Sequence, residues 1–226
     1  VNHMRRTCLR ERLLPNYTKG EEIMNMGTPI SGGGLAILGS VFCILAACRM
    51  GGWENILGAV IYCTAMVGVY TMSSVYHGLR AGTAKKVMQV IDHCAIYFLI
   101  AGTYTPIVLC ALRPVYPVIG WGVLAAEWAL GCLAATLTAI DLKKYNVFSM
   151  ICYILMGWGI IFFLPQTIAV LTMPGFVLLL LGGIAYTIGA VLYGIGSKMP
   201  WMHSVFHIFV VLGSVLQFLA IFFYAL

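Results

Sequence analysis

Seven long apolar stretches, separated by short polar gaps, dominate the chain. They lie at about 28–48, 54–79, 88–112, 117–140, 147–170, 175–196 and 202–226. Each is longer than the roughly 18 residues that a helix needs to cross about 30 Å of hydrocarbon. Backbone groups in lipid must be hydrogen-bonded within the segment, and the alternating pattern of a membrane barrel is absent. The pattern therefore predicts an all-α fold, with a seven-transmembrane helix bundle over residues 28–226.

Basic residues in the gaps predict the orientation of the bundle. Residues 1–27 form a short polar segment that carries five of them, and no signal peptide precedes the first apolar stretch. The gaps on the same side add Arg80, Lys85, Lys86, Lys143, Lys144 and Lys198, whereas the opposite gaps hold only Arg49 and Arg113. Because basic residues collect in cytoplasmic loops, we expect the N-terminus in the cytoplasm and the C-terminus outside.

Composition points to lipid as the solvent of this chain. Of its 226 residues, 62% are hydrophobic and 9% are charged, whereas a soluble domain carries about 25% charged residues. The net charge of +6 is not gathered into a basic stripe interleaved with aromatic residues, so we expect membrane lipids and not nucleic acid as partners. The eight cysteines include no C-x-x-C pair, which argues against a disulfide framework or a cysteine metal site. We expect a multi-pass protein of the cell membrane; its oligomeric state is left open.

Ionisable residues within the apolar stretches are functional candidates, because lipid solvates them poorly. They are His77, Asp92, His93, Glu127, His203 and His207. The predicted topology puts all but Glu127 near the cytoplasmic ends of helices. His93 points about 100° away from its neighbour Asp92, and we interpret it as structural. Glu127 lies near the centre of the fourth stretch, where we expect it to be protonated or hydrogen-bonded to another helix, with proton transfer as an alternative.

Three of these histidines suit a metal ion. His203 and His207 are four residues apart, so their imidazoles share one helix face at a Cβ separation of roughly 6 Å. His77 is expected at the same depth, and three imidazoles with an open fourth position are typical of catalytic Zn²⁺. Asp92 could orient or deprotonate water there, and Ser73 lies on the helix face of His77.

The spacing alone leaves other interpretations open. A pair of histidines at this spacing also arises by chance, and this one lacks the glutamate of H-E-x-x-H. His77 could instead reach toward the headgroups. Asp92 could cap its helix or pair with Lys85 or Lys86.

Five motifs occur in a characteristic order. They are Ser73-Ser74-Val75-Tyr76-His77; Asp92-His93 followed by Ile100-Ala101-Gly102-Thr103-Tyr104-Thr105-Pro106; Met156-Gly157-Trp158; Gly182-Gly183 with Tyr186-Thr187-Ile188-Gly189; and His203-Ser204-Val205-Phe206-His207. From about residue 21 onward the chain thereby resembles the hemolysin III family, relatives of the progestin and adipoQ receptors. The family often has Thr-His-Gly near its N-terminus, whereas Pro29 follows Thr28 here, so any role of that histidine is missing.

The resemblance implies a seven-helix bundle that holds zinc through His77, His203 and His207, with Asp92 near the metal's water and Ser73 beside it. Adiponectin receptors have been linked to ceramide hydrolysis, and bacterial members to cytolysis and membrane lipid homeostasis. The leading hypothesis is therefore a zinc-dependent hydrolase of a lipid amide or ester, acting at the cytoplasmic side. A pore-forming cytolysin and a receptor or sensor with structural zinc are the alternatives. No polar stripe runs the length of any predicted helix, which argues against the pore.

Overall fold

The structure is a computed structural model that describes residue 7, residue 9 and residues 11–196 and 199–226. These residues are largely helical, with no strand among them, and their seven cysteines are free thiols. Some residues used in the sequence analysis lie outside the described part of the chain. They are three arginines, one histidine and one cysteine near the N-terminus, together with one lysine toward the C-terminus: His3, Arg5, Arg6, Arg10, Cys8 and Lys198.

The helices follow one another with short connections. They are α1 (Lys19–Met50), α2 (Trp53–Gly78), α3 (Thr83–Pro106), α4 (Arg113–Val115), α5 (Pro117–Ile140), α6 (Asn146–Trp158), α7 (Leu164–Gly196) and α8 (Met202–Tyr224). A π-helical stretch, Ile107–Leu112, joins α3 to α4, and a 3₁₀ stretch, Gly159–Phe163, joins α6 to α7. The predicted bounds of the second, fourth and seventh apolar helices lie within about two residues of α2, α5 and α8.

The described residues contain six helical segments that are long and apolar enough to cross a membrane, and not the predicted seven. The predicted helices 147–170 and 175–196 are joined in one segment of 51 residues, Asn146–Gly196. No polar gap separates them, and it is the backbone that interrupts the helix at the junction. Only Thr172 departs from helical geometry there, with φ 59° and ψ 168°.

Helix α1 begins nine residues before the predicted start at residue 28, because a capping box initiates it. The Thr18 hydroxyl accepts a hydrogen bond from the Glu21 backbone N–H at 3.3 Å, and the Glu21 carboxylate accepts one from the Thr18 backbone N–H at 2.9 Å. This reciprocal pair satisfies two donors that a helix N-terminus would otherwise leave unpaired. Two polar turns therefore precede the apolar part of α1, and Glu22 and Asn25 lie on the helix.

Prolines lie at the π-helical and the 3₁₀ joints of the bundle. Pro106 ends α3 immediately before the π-helical stretch, and Pro165 is the second residue of α7, just after the 3₁₀ stretch. Across the two joints, the Tyr104 hydroxyl accepts a hydrogen bond from the Ile160 backbone N–H at 2.9 Å. A side chain thus pairs a backbone donor that the change of helix type releases.

Glycines allow close contacts between the helices. A Cβ atom on Gly32 of α1 would lie 2.6 Å from the Tyr70 ring of α2, and one on Gly182 of α7 would lie 2.6 Å from Gln217 of α8. The Tyr70 ring is pinned, because its hydroxyl donates a hydrogen bond to Ser214 Oγ at 2.7 Å. Helices in lipid pack through such small residues, since apolar surface alone gives them no reason to associate.

Replacing Gly32 with alanine should therefore destabilise the protein by roughly 1–3 kcal/mol, the usual penalty for overpacking. The matched control is Gly34→Ala, two residues away, because a Cβ on Gly34 meets nothing within 4 Å. The control should be neutral or slightly stabilising, since alanine favours a helix by about 1 kcal/mol over glycine. Thermal unfolding in detergent measures both, and equal unfolding temperatures for the two variants would contradict the packing described.

Candidate metal centre

Three buried histidines from two helices meet at one point. His77 is the penultimate residue of α2, while His203 and His207 lie in the first two turns of α8. Their Nε2 atoms are 3.2 Å apart for His77 and His203, 3.4 Å for His77 and His207, and 3.2 Å for His203 and His207. Four-residue spacing stacks two of the rings on one face of α8, and the end of α2 brings the third against them.

This triangle fits one face of a metal tetrahedron. Zn–N bonds of about 2.0–2.1 Å at tetrahedral angles separate two ligand nitrogens by about 3.3–3.4 Å. The observed separations of 3.2–3.4 Å agree with that value. Neutral imidazoles would otherwise point lone pairs at one another in a buried space. The three histidines can hold a metal ion.

Glu22 of α1 sets the protonation of His77. Its Oε2 atom lies 2.8 Å from His77 Nδ1, so Nδ1–H donates to the carboxylate and leaves the Nε2 lone pair directed at the other histidines. The other oxygen of Glu22 accepts a hydrogen bond from Lys85 Nζ at 2.5 Å. Carboxylates that orient metal-binding histidines in this way also raise their basicity.

One alternative left open by the sequence is wrong in this structure, and Lys85 is not the partner of Asp92. The His77 side chain is 0% exposed, so it does not reach toward the headgroups. Lys85 pairs with Glu22, and its Nζ also donates to the backbone oxygen of Leu79 at 3.0 Å, so it does not pair with Asp92.

The start of α1 and the residues before it close over the triangle. The Tyr17 ring stacks on His203 with centroids 5.1 Å apart. Burial, followed by the charges of nearby groups including Glu22, raises the pKa of Tyr17 well above its ordinary value, so the phenol stays neutral. Asn25 Oδ1 accepts a hydrogen bond from Ser204 Oγ at 2.6 Å, which ties α1 directly to α8.

A second tie holds the turn before α8. The Trp201 backbone has φ 67°, a left-handed conformation that a bulky residue seldom adopts. Its N–H donates to Glu21 Oε1 at 2.7 Å. The capping glutamate of α1 therefore also fixes the backbone from which His203 and His207 project.

Asp92 and Ser73 lie on the wall of a cavity that His203 and His207 also line. The cavity has a volume of about 180 Å³ and runs between α2, α3, α6, α7 and α8. Ser73 Oγ is buried without a well-formed hydrogen bond, although it lies close enough to act on the Asp92 carboxyl. The structure thus puts both predicted catalytic side chains on the same cavity as two of the histidines.

The two remaining ionisable candidates stand apart from the triangle. His93 uses both ring nitrogens, since Nδ1 donates to the Gln89 backbone oxygen at 2.7 Å and Nε2 accepts from the Tyr193 hydroxyl at 2.9 Å. This agrees with its structural interpretation. Glu127 of α5 lines a different groove, and within the described part of the chain its Oε2 atom has no hydrogen-bond partner, so that atom lacks the predicted bond to another helix.

Sequence reasoning missed the contributions of α1, above all Glu22. A signal was available: Thr18 followed by Glu21, directly before an apolar run, is the pattern of a capping box. Once the helix starts at Lys19, the residues Glu21, Asn25, Pro29, Gly32 and Ala36 recur at helical spacing, and all five are buried. A small and polar stripe of this kind indicates a helix face against other helices.

Comparison with known proteins agrees with these features. The sequence profile of the family described as "Haemolysin-III related" matches residues 17–218. The chain belongs to this family. Members with similar sequences include Hemolysin-3 of Bacillus cereus, 35% identical over 91% of this chain and 92% of that protein, and the Hemolysin-3 homolog of Bacillus subtilis (strain 168), 35% identical over 92% and 96%.

A human protein is more distantly similar. The Monocyte to macrophage differentiation factor of Homo sapiens is 26% identical over 180 residues, which cover 75% of this chain and 70% of that protein. The haemolysin-III related chain is accordingly a multi-pass membrane protein, as its six membrane-capable helical segments also indicate.

Glu22→Gln should weaken metal binding about 10- to 100-fold, the usual effect of removing a carboxylate that orients a histidine ligand. The amide keeps the shape of the side chain but loses the charge that holds His77 Nδ1–H and Lys85. Chelator competition on purified protein measures the affinity. Glu54→Gln is the matched control, because Glu54 instead pairs with Arg113 at 2.7 Å. Equal affinities for Glu22→Gln and Glu54→Gln would show that Glu22 does not support the site.

Proposed function

We propose that this haemolysin-III related chain is a zinc-dependent hydrolase that cleaves an amide or ester bond of a membrane lipid at the cytoplasmic side. The observation that carries the proposal is the triangle of His77, His203 and His207 Nε2 atoms, 3.2–3.4 Å apart, beside a cavity between the helices. A donor set of three neutral imidazoles suits Zn²⁺. When bound, such an ion acts as a Lewis acid and makes water a nucleophile at neutral pH.

The proposed membrane arrangement has seven crossings, with the N-terminus in the cytoplasm and the C-terminus outside. The segment Asn146–Gly196 supports two of these crossings, because 51 helical residues would extend about 75 Å, more than twice the hydrocarbon thickness. Thr172 is the proposed turning point, and Pro174 follows it closely. Residues 1–27 would then remain cytoplasmic and residues 28–226 would form the membrane domain.

The cavity supports a lipid as substrate. Its apolar walls, which include Ile96, Leu99, Ile107 and Leu179, suit acyl chains. Its polar groups include Ser73, Asp92, His203 and His207, so the bond to be cleaved would lie among them. Chains held between the helices would keep that bond in place and limit the access of bulk water.

Asp92 is the proposed general base. Its side chain is 14% exposed and lines the cavity, and His93 Nδ1, 3.7 Å from Asp92 Oδ2, is too far for a strong hydrogen bond and donates to the Gln89 backbone oxygen instead. The carboxylate is therefore available to accept a proton from the attacking water and return it to the leaving group. Ser73 is the proposed positioning residue for Asp92, because its buried hydroxyl lies nearby.

Two other functions follow from the same features. The name of the hemolysin-3 relatives suggests a cytolysin, but the mostly apolar cavity wall does not suit a water-filled pore. A receptor or sensor would use the same three histidines for a structural zinc ion. A product assay separates the hydrolase from the sensor, and a vesicle leakage assay detects the pore.

Asp92→Asn should separate metal binding from chemistry. The amide keeps the size of the carboxylate but cannot act as a base, so zinc content should stay near one ion per chain while hydrolysis of a lipid amide or ester falls about 10²–10⁴-fold. His203→Ala should lose zinc and activity together. Metal analysis and product chromatography measure the two properties.

Two results would overturn parts of this proposal. Full activity of Asp92→Asn would remove Asp92 as the base. If the zinc-loaded protein cleaves no lipid amide or ester, the sensor becomes the better description.

The topology predicts which engineered cysteines react from outside intact cells. Sites near Arg49, Arg113 and Thr172 should label with an impermeant maleimide, and sites near Lys85 and Lys143 should not, because the basic loops face the cytoplasm. Permeabilised cells provide the control, in which every site should react. Labelling near Lys143 without permeabilisation would reverse the orientation, and protection at Thr172 would remove the two crossings of Asn146–Gly196.

A further inference from the structure

A strap of chain crosses the cytoplasmic end of the bundle before α1 begins. We define the N-terminal strap as Thr7, Leu9 and residues 11–18. At one end the Thr7 backbone N–H donates to Asp141 Oδ2 at 2.8 Å, in the turn between α5 and α6. At the other end Tyr17 stacks on His203. Asn146 follows that turn and lines the cavity, as His203 does, so each end of the strap is tied at or next to a residue of the cavity wall.

Arg12 lies midway along the strap, and two of its guanidinium nitrogens lack a partner among the described residues. The residue is only 6% exposed, and its Nε and Nη1 atoms are buried there without a hydrogen bond. Removing a charge from water without pairing it is among the most unfavourable arrangements in a protein. The two unpaired donors therefore call for a partner outside the described residues, and an anion is the partner that suits a guanidinium.

Asp141 attracts Arg12 but does not supply that partner. Its carboxylate accepts hydrogen bonds from the backbone N–H groups of Thr7, Lys143 and Lys144 at 2.8–3.2 Å. Burial alone would raise the pKa of Asp141, but these hydrogen bonds together hold it below the ordinary value, so the group is ionised. Among the described residues, its oxygens form no ion pair with Arg12. Asp141 thus holds the strap and favours a cation there.

Arg12 lies between the two tied ends of the strap, the Thr7 hydrogen bond to Asp141 and the Tyr17 stacking on His203. Its charge acts on Asp141 and on His93, and His93 lines the cavity. The tied strap therefore holds the guanidinium between Asp141 and His203, and His203 also lines the cavity.

We propose that Arg12 binds a phosphate-type anion at the cytoplasmic end of the bundle. A guanidinium presents parallel N–H donors that match two oxygens of a phosphate group, and arginine is the residue that proteins most often use for this geometry. The phosphate of a lipid headgroup and free phosphate share this chemistry. The lipid source rests on the proposed function, because it assumes that the cavity takes acyl chains. The anion site itself requires neither zinc nor catalysis.

Calorimetric titration of the purified protein in an uncharged detergent tests the site. The probes are inorganic phosphate, a short-chain phosphatidate and the matching diacylglycerol, which lacks the phosphate. Arg12→Gln should weaken phosphatidate binding about 10- to 100-fold, the loss expected for hydrogen bonds to a charged group. Arg12→Lys should bind phosphatidate with an affinity between those of the wild type and Arg12→Gln, because lysine keeps the charge but lacks the parallel N–H donors. Arg80→Gln is the matched control, since Arg80 is exposed, and it should bind as the wild type does.

The probes distinguish the two sources. Phosphatidate that binds more tightly than both diacylglycerol and inorganic phosphate, in a manner dependent on Arg12, supports the lipid headgroup. Inorganic phosphate that binds as tightly as phosphatidate, with the same dependence on Arg12, supports the anion site and assigns it to free phosphate. Equal phosphatidate affinity in the wild type and Arg12→Gln overturns the proposal.

A stability measurement covers the case in which a variant folds poorly. Without anion, Arg12→Met should unfold at the same temperature as the wild type or a higher one, because it removes an unpaired buried charge. Phosphatidate should raise the unfolding temperature of the wild type only, and an equal rise in Arg12→Met contradicts the site. Failure of the hydrolase assay with Arg12-dependent binding retained would count against the proposed function alone. Lipid turnover without such binding would count against this site alone.

Discussion

The shared approach of three imidazole nitrogens is the constraint on which this end of the bundle depends. Nitrogens 3.2–3.4 Å apart can all direct lone pairs at one point only if a cation lies there. Glu22 keeps the Nε2 lone pair of His77 free by accepting a hydrogen bond from its Nδ1–H, and Lys85 balances the charge of Glu22. Helix α1 must therefore begin early enough to carry Glu22, and the turn at Trp201 must be held so that α8 starts in the right place.

Hydropathy predicts helices well where polar gaps flank them and poorly where they do not. The bounds of α2 and α5 followed from the charged gaps on either side. The start of α1 was missed because its first two turns are polar, so a hydrophobic window ignores them although capping chemistry marks them. The fifth and sixth predicted helices lie in one continuous apolar segment, although the predicted break after residue 170 coincides with the irregular residue Thr172. Residues around Thr172 are as apolar as the helices they connect, and only the backbone departs there.

The part of the site that was predicted from the sequence is the part that follows from the membrane depth of each residue. Because His77, Asp92 and the two histidines of α8 were expected at the same depth, they were predicted to form one site. In the structure the three histidines meet, and Asp92 lines the same cavity as His203 and His207. Glu22 lies 55 residues before the ring that it contacts, so no spacing rule joins them. Arg12 was counted only as one basic residue among several. Its burial depends on the path of the strap, which local sequence does not encode.

The distance along the chain from the capping box at Thr18 to Glu22 determines which side of α1 carries the Glu22 carboxylate. Adding or deleting one residue between Thr18 and Glu22 would turn Glu22 by about 100° around the axis of α1 and swing its carboxylate away from the histidine that it orients. Chain length upstream of the strap carries no such penalty. Among related proteins, this interval should therefore keep its length, and a one-residue gap there in an alignment would mark a lineage that has abandoned the metal or rebuilt its support.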